Sequence, residues 1–187
     1  MNISISRNRP TNHPGTVETQ LCEVFSRRAT DLFWPAYALT GSIEDAECCF
    51  SQAIDATATQ MPTDEAYVYP VARRCVIKAA ISVMAGEIHK CAQEEIGDKS
   101  ADLRSDSCRY LEHFNESSVS IAAMLDSLWL LNAFRRVALV LRVYEKWHRT
   151  DAALSLGTST SLIEIATQRG LSQFLENLGN SHACTPE

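Results

Sequence analysis

The stretch HRTDAALSLGTSTSLIEIATQRG, residues 148–170, has the pattern of two helices separated by a turn. Gly157 follows the first helical segment, and glycine tolerates the left-handed backbone that commonly ends a helix. Ser159 or Thr160 can cap the longer helix that follows. Two hypotheses fit this pattern: a helix-turn-helix that lies on DNA, or a helical hairpin that only closes a core.

The spacing within this stretch fits a helix-turn-helix. The two helices of that motif cross closely, which requires a small residue shortly before the turn and aliphatic residues on the inward face after it. Ala153 stands four positions before Gly157, and Ile163 and Ala166 follow on the inward face. Any tight helical hairpin shares part of this pattern, so spacing alone leaves both hypotheses open.

The outward face of the second helix and the basic residues before the turn are the candidate DNA contacts. Thr, Gln and Arg side chains can reach base edges or phosphates. The candidates in the second helix are Thr160, Ser161, Glu164, Thr167, Gln168 and Arg169. Those before the turn are Arg136, Arg142 and Arg149, and Arg135 and Lys146 add positive charge beside them.

Composition predicts an all-α protein. The 187 residues include only 7 Gly and 6 Pro, and 45% are apolar, so a packed helical core is expected. The net charge of −6 makes the whole chain a poor non-specific nucleic-acid binder, although a local basic face can still bind phosphates. Residues 119–178 carry a small positive charge and provide the region for such a face.

Neither cysteines nor histidines form a recognisable metal or disulfide pattern. The 7 Cys contain no CxxC pair, and the 5 His are scattered without ligand spacing. We therefore expect reduced thiols, no cofactor, no metal and no enzymatic activity. The start of the chain lacks a secretory pattern, and Asp126 interrupts the longest apolar run, so a cytoplasmic protein outside the membrane is expected.

Apolar periodicity predicts a series of helices with recognisable caps. Ser42, Thr63, Asn132 and Thr150 are the predicted N-caps, and Pro35 and Pro70 fall inside helical patterns that they can kink. The predicted helices are 17–39, 43–60, 64–90, 118–131, 133–147, 151–156 and one ending at Gly179, with a short helix near 108–114.

These helices predict two small domains. Polar or acidic stretches flank and separate them. The predicted segments are a disordered segment 1–16, a helical domain 17–91, an acidic linker 92–118 and a four-helix domain 119–179 that contains the helix-turn-helix.

The C-terminal segment LDSLWLLNAFRRVALVLRVYEKWHRTDAALSLGTSTSLIEIATQRGLSQFLENL, residues 125–178, resembles extracytoplasmic-function-type bacterial RNA polymerase sigma factors. That family's pattern runs LxxLPxxxRxVxxLRxxEGxxxxEIAxxLG. The matching residues are Arg136, Leu141, Arg142, Glu145, Asp151, Ala153, Leu156, Gly157 and Ile163.

The N-terminal half resembles the same family. YALTGSIEDAECCFSQAI (37–54) is similar to its AxxLTGDxxDAEDLVQEVF, and YVYPVARR (67–74) is similar to WLYRIARN. The chain is most similar to a divergent group of these proteins associated with acidobacteria.

The resemblance implies recognition and strand capture rather than catalysis. It implies that the N-terminal helices bind core RNA polymerase through Asp45, Glu47 and Gln52, and that Arg73 and Arg74 contact promoter DNA. The alternatives are that Arg73 and Arg74 are solvated or pair with another helix, and that Asp45 and Glu47 only complement the helix dipole. The helix-turn-helix would read the upstream promoter element, and an anti-sigma factor would be a further partner. Tyr67 and Tyr69 either stack on melted bases or pack in an interface.

Three functions stay open at this point. The first is a sigma-like initiation factor that binds polymerase and promoter DNA. The second is a DNA-binding regulator with the sigma fold that does not support promoter melting, and the third is a helical adaptor that binds only proteins.

Overall fold

The computed structural model describes residues 14–60, 67–97 and 120–183, and every regular element within these ranges is a helix. The predicted all-α class is therefore confirmed. The helices are α1 (Pro14–Arg27), α2 (Ala29–Thr40), α3 (Ile43–Thr59), α4 (Val68–Val83), α5 (Ala85–Gly97), α6 (Ile121–Trp129), α7 (Ala133–Leu139), α8 (Arg149–Leu156) and α9 (Thr160–Ala183), with a π-helical turn Val140–Tyr144 after α7.

Helices α1 to α4 form an N-terminal bundle in which α3 packs on α4 and α2 packs on both. Small residues at the contacts, such as Ala46, Cys49 and Ala72, are fully buried and let the helix axes approach closely. Leu32 and Val76 fill the space between them without exposed surface. This packing holds the outward face of α3 and the start of α4 in fixed positions.

The predicted helix 17–39 is two helices. The chain changes direction at Arg28, whose backbone departs from helical geometry. Pro35 lies in the interior of α2, and α2 continues through it to Gly41, which ends the helix with φ 72°. The predicted cap of α3 is confirmed, because the amide of Asp45 donates to Ser42 Oγ at 3.2 Å.

The predicted helix 64–90 is also wrong as a single element. Helix α4 starts at Val68, which places Pro70 in the first turn, where its missing N–H has no partner to lose. The helix ends at Met84, and α5 then runs to Gly97. Residues 92–97, which were predicted to begin the acidic linker, are therefore helical. Thr63 and the predicted helix 108–114 lie outside the described residues.

Two of the three N-caps predicted for the C-terminal helices are confirmed, and one is wrong. The amide of Arg135 donates to Asn132 Oδ1 at 2.8 Å, and that of Leu162 to Ser159 Oγ at 3.2 Å. Thr150 is not a cap, because α8 begins one residue earlier, after His148. Helix α9 also continues past the predicted end at Gly179.

The predicted helix 133–147 ends early. After Leu139 the backbone widens into the π-helical turn, which inserts one residue per turn relative to an α-helix. Tyr144, the last residue of this turn, is 61% exposed.

Helix α5 connects the two halves of the molecule. It follows α4 directly, yet it packs mainly on α7 and also contacts α9. Buried side chains from both predicted domains belong to one continuous cluster. No helix among residues 14–60, 67–97 and 120–183 is long and apolar enough to cross a membrane.

Candidate nucleic-acid interface

The stretch 148–170 forms a closed hairpin of α8 and α9. Gly157 adopts φ 61°, and the amide of Thr158 donates to the carbonyl of Ala153 at 3.0 Å, which is the hydrogen bond of a Schellman ending. Ala153, Ile163 and Ala166 are buried on the inward side, as the spacing predicted. The hairpin therefore has the inner packing that a helix-turn-helix requires.

The outward face of α9 brings together most of the predicted DNA contacts. Ser161, Glu164 and Gln168 are exposed, and Thr160 and Thr167 are half-buried. Arg149 reaches this face from α8 and pairs with Glu164 at 2.7 Å, with both side chains about half exposed. This surface offers hydroxyl, amide and carboxylate groups, and its one arginine is already paired.

Arg169 does not lie on that outward face, in contrast to its prediction. Its side chain is 14% exposed and donates to Glu95, whose carboxylate is 1% exposed. The same carboxylate accepts from Arg135 Nε at 2.9 Å and Nη2 at 3.2 Å. One carboxylate on α5 thus holds arginines of α7 and α9.

Sequence reasoning missed Glu95 because it placed this residue in the acidic linker. The available signal was its position in the stripe Ile88, Cys91, Glu95, which α5 buries against α7. A carboxylate in an apolar stripe indicates a buried cationic partner.

Arg136 is also inside the molecule, so the expectation that it is accessible to phosphate is wrong. Arg136 is only 7% exposed. Its Nη1 donates a long hydrogen bond of 3.5 Å to the backbone carbonyl of Trp129. Burial lowers the pKa of this guanidinium, and the charge of Glu87 offsets the effect only in part. The physical reason is that α7 is buried on nearly every side, so it has no face left for a solvated arginine.

Arg73 joins the two halves of the molecule. Its Nε and Nη2 donate to the two carboxylate oxygens of Glu145 at 2.9 and 2.7 Å, across 72 residues of sequence. Its Nη1 donates to the backbone carbonyl of Asp31 at 2.7 Å and to the hydroxyl of Tyr69 at 3.2 Å. Burial alone would lower the pKa of Arg73, but Glu145 and Tyr69 outweigh it and raise this pKa above its ordinary value.

The remaining predicted arginines lie near this pair. Arg74 is exposed, and its guanidinium lies over the ring of Trp147 at 5.1 Å from the centroid. Arg142 is half-buried and donates to the backbone carbonyl of Trp147. The predicted DNA contacts are thus divided between the α9 face, the interior and the start of α4.

The predicted polymerase contacts lie together on α3. Asp45, Glu47 and Gln52 are all exposed, and Gln52 Nε2 lies 3.2 Å from Cys48 Sγ. Of the two tyrosines, Tyr67 is 60% exposed, whereas Tyr69 lies beneath the guanidinium of Arg28. Tyr67 therefore keeps a free surface and Tyr69 packs in an interface.

The parts of the chain that the structure describes contain no cluster of His, Cys, Asp or Glu side chains suited to hold a metal ion. The chain matches no family model and no curated protein.

Proposed function

We propose that this protein is a sigma-like factor that directs bacterial core RNA polymerase to promoters, acting in the cytoplasm. The observation that carries the proposal is the α8–α9 hairpin. Its Gly157 turn and its buried Ala153, Ile163 and Ala166 support a helix-turn-helix with an outward face free to meet DNA.

The exposed face of α3 supports the polymerase part of the proposal. Asp45, Glu47 and Gln52 are exposed together on one helix and are not engaged in ion pairs among the described residues. Asp45 and Gln52 lie at one edge of the exposed surface of α3 and Glu47 lies at the other edge, so a partner contacting all three would cover the width of the helix. The resemblance of the two halves to sigma-factor sequences points in the same direction.

A second candidate function is a sigma-fold DNA-binding regulator or protein-binding adaptor that does not melt promoters. The observation in its favour is the internal engagement of Arg73, Arg136 and Arg169. Melting requires cations that hold the separated strand, and these three side chains are used inside the molecule.

Co-purification with core RNA polymerase, followed by open-complex formation on genomic promoters, separates these functions. We expect the wild type to bind polymerase, and the variant Asp45→Ala/Glu47→Ala to lose that binding. Asp126→Ala/Glu176→Ala removes two exposed carboxylates on α6 and α9 and is the charge-matched control. Absence of polymerase binding by the wild type would contradict the sigma-like function.

The salt dependence of DNA binding then separates a regulator from an adaptor. A DNA-binding protein loses affinity steeply as salt rises, because phosphate contacts release counterions. An adaptor would show no DNA affinity at low salt.

A further inference from the structure

Two cations near the junction of the halves remain open to solvent. Arg74 on α4 and Lys146 in the loop before α8 are exposed, and neither has a carboxylate partner among the described residues. They contrast with Arg73, Arg136 and Arg169, which face inward. Lys78 and Lys90 are also exposed and outside the ion pairs of the described residues, but Arg74 and Lys146 come from different halves and face each other across the junction.

Arg74 and Lys146 line the same cavity. It has a volume of about 330 Å³ and lies between the start of α4 and residues 145–151, with Arg74, Lys146 and His148 supplying polar groups. Pro70, Ile77 and Trp147 supply its apolar surface. We call this space the seam cleft, because one wall belongs to each half of the molecule.

The acidic residues of the seam cleft do not cancel its cations. Glu145 is bound on both carboxylate oxygens by Arg73, and its side chain is 6% exposed. Asp151, in the first turn of α8, is exposed and also lines the cleft. Because Arg73 neutralises Glu145, Arg74 and Lys146 face only the carboxylate of Asp151, and the cleft keeps an excess of one positive charge.

The loop that carries Lys146 is held in one conformation. The amides of Glu145 and Trp147 donate to the carbonyls of Val140 and Leu141, each at 2.9 Å, and Arg142 donates to the carbonyl of Trp147. Lys146 has φ 55°, in the left-handed region that non-glycine residues rarely adopt. Such backbone conformations persist where surrounding contacts impose them and are concentrated at functional sites.

We propose that the seam cleft binds a backbone phosphate of nucleic acid between Arg74 and Lys146. The inference rests on the proposed DNA-binding function and assigns it a contact site outside the α8–α9 hairpin. A phosphodiester is an anion small enough for the cleft, and cations from two elements hold it by charge-assisted hydrogen bonds. Because the two cations belong to different halves, bound nucleic acid also holds those halves together.

The test is the salt dependence of binding to a 20-base-pair fluorescein-labelled duplex, followed by fluorescence anisotropy. Each phosphate contact contributes roughly 0.9 to the slope of log affinity against log salt, so loss of the one contact in Arg74→Ala/Lys146→Ala should reduce the slope by roughly 1. We expect its affinity at low salt to fall about tenfold or more, with the same melting temperature as the wild type.

Arg27→Ala/Lys90→Ala is the charge-matched control, since it removes two exposed cations on α1 and α5, of which Arg27 forms only a solvent-exposed pair with Glu23. Equal slopes for the two double variants would overturn the seam cleft while leaving the proposed function intact. No duplex binding by the wild type at low salt would overturn both. Binding of inorganic phosphate that Arg74→Ala/Lys146→Ala abolishes, with duplex binding unchanged in the same variant, would assign the cleft to a free phosphate ion and overturn the backbone contact.

Lys146→Gly separates charge from backbone strain. Glycine accepts φ 55° without strain, so this variant should be at least as stable as the wild type and yet bind the duplex as weakly as Lys146→Ala. Duplex binding by Lys146→Gly at the wild-type level would overturn the role of the ammonium group.

Discussion

Arg73 and Pro35 act on the same backbone carbonyl. Proline has no N–H, so Pro35 cannot donate to the carbonyl of Asp31 four residues earlier in α2. Arg73 Nη1 donates to that carbonyl at 2.7 Å and thereby satisfies a group that the helix itself leaves unpaired. The same guanidinium neutralises Glu145, so one side chain completes a helix and also joins the two halves.

Replacing Arg73 should therefore be far more damaging than replacing its neighbour. Arg73→Ala leaves Glu145 buried without a counterion, and we expect the free energy of unfolding to fall by about 3–5 kcal/mol. Arg74→Ala, at an exposed position, should change it by less than about 0.5 kcal/mol. Urea denaturation measures both, and equal losses would contradict this role of Arg73.

Pro35→Ala provides a direct check on the shared carbonyl. Alanine restores the missing N–H donor, so the loss from Arg73→Ala should be smaller in the Pro35→Ala background by about 1 kcal/mol. Strictly additive changes in the double variant would show that the two residues act independently.

Sequence patterns identified the cations but not their partners. Arg73 and Arg169 were recognised as candidate contacts, yet their carboxylates lie 72 and 74 residues away in sequence. Helical periodicity assigns a face to a residue, but which other helix covers that face depends on tertiary packing. Arg136 shows the same limit, since nothing local indicates that α7 is enclosed.

Because its thiol is buried, Cys49 should lower the stability of the N-terminal bundle at alkaline pH. Burial raises the pKa of its thiol from 9.0 to about 11, and Cys48 and Asp45 add to the effect. Between these two pH values the folded state binds more protons than the unfolded state, so stability falls as pH rises from about 9 to 11. Thermal unfolding should show a steeper loss for the wild type than for Cys49→Ala, and parallel pH profiles would contradict the shift.

At the scale of the helices, two glycines of α9 occupy opposite environments. A Cβ added at Gly170 would lie 3.1 Å from the backbone carbonyl oxygen of Arg135, whereas one added at Gly179 would meet nothing within 4 Å. Gly170 therefore lets α9 approach the backbone of α7 closely.

The two substitutions to alanine should have opposite signs. Gly170→Ala forces α7 and α9 apart and should destabilise the protein by about 1–3 kcal/mol. Gly179→Ala introduces a better helix former at an open position and should stabilise it by up to about 1 kcal/mol. Chemical denaturation of both variants tests whether α9 approaches α7 closely at Gly170. If Gly170→Ala stabilised the protein as Gly179→Ala should, that close approach would be contradicted.

Capping residues in the sequence predicted where helices begin and end better than apolar periodicity predicted where a helix is interrupted. Ser42, Asn132, Ser159 and Gly157 act as the sequence indicated, because a cap depends on residues within one turn. The breaks at Arg28 and Met84 and the π-helical turn after Leu139 were not predicted. No proline or glycine lies near Arg28 or Leu139, whereas Gly86 follows Met84 by two residues and was a signal for the second break.

At the scale of the whole molecule, α5 is the element that couples the halves. It leaves α4 at Met84 and presents Ile88, Cys91 and Glu95 to the C-terminal helices. The predicted boundary after residue 91 cuts through this helix. Because buried residues of both halves form one continuous cluster, we expect them to unfold together rather than as separate units.

Glu95 is the residue on which this coupling can be tested. Its buried carboxylate neutralises Arg135 and Arg169, so Glu95→Ala leaves two guanidinium groups without a counterion and should lower the free energy of unfolding by about 3–5 kcal/mol. The exposed pair Arg149–Glu164 provides the control, since Glu164→Ala should lower it by less than about 1 kcal/mol. Hydrogen exchange in the Glu95→Ala variant should accelerate in α1 to α4 as well as in α7 and α9, because the cluster is shared. Acceleration confined to α5, α7 and α9 would show instead that the N-terminal bundle folds independently, and would place the boundary between the halves at Met84.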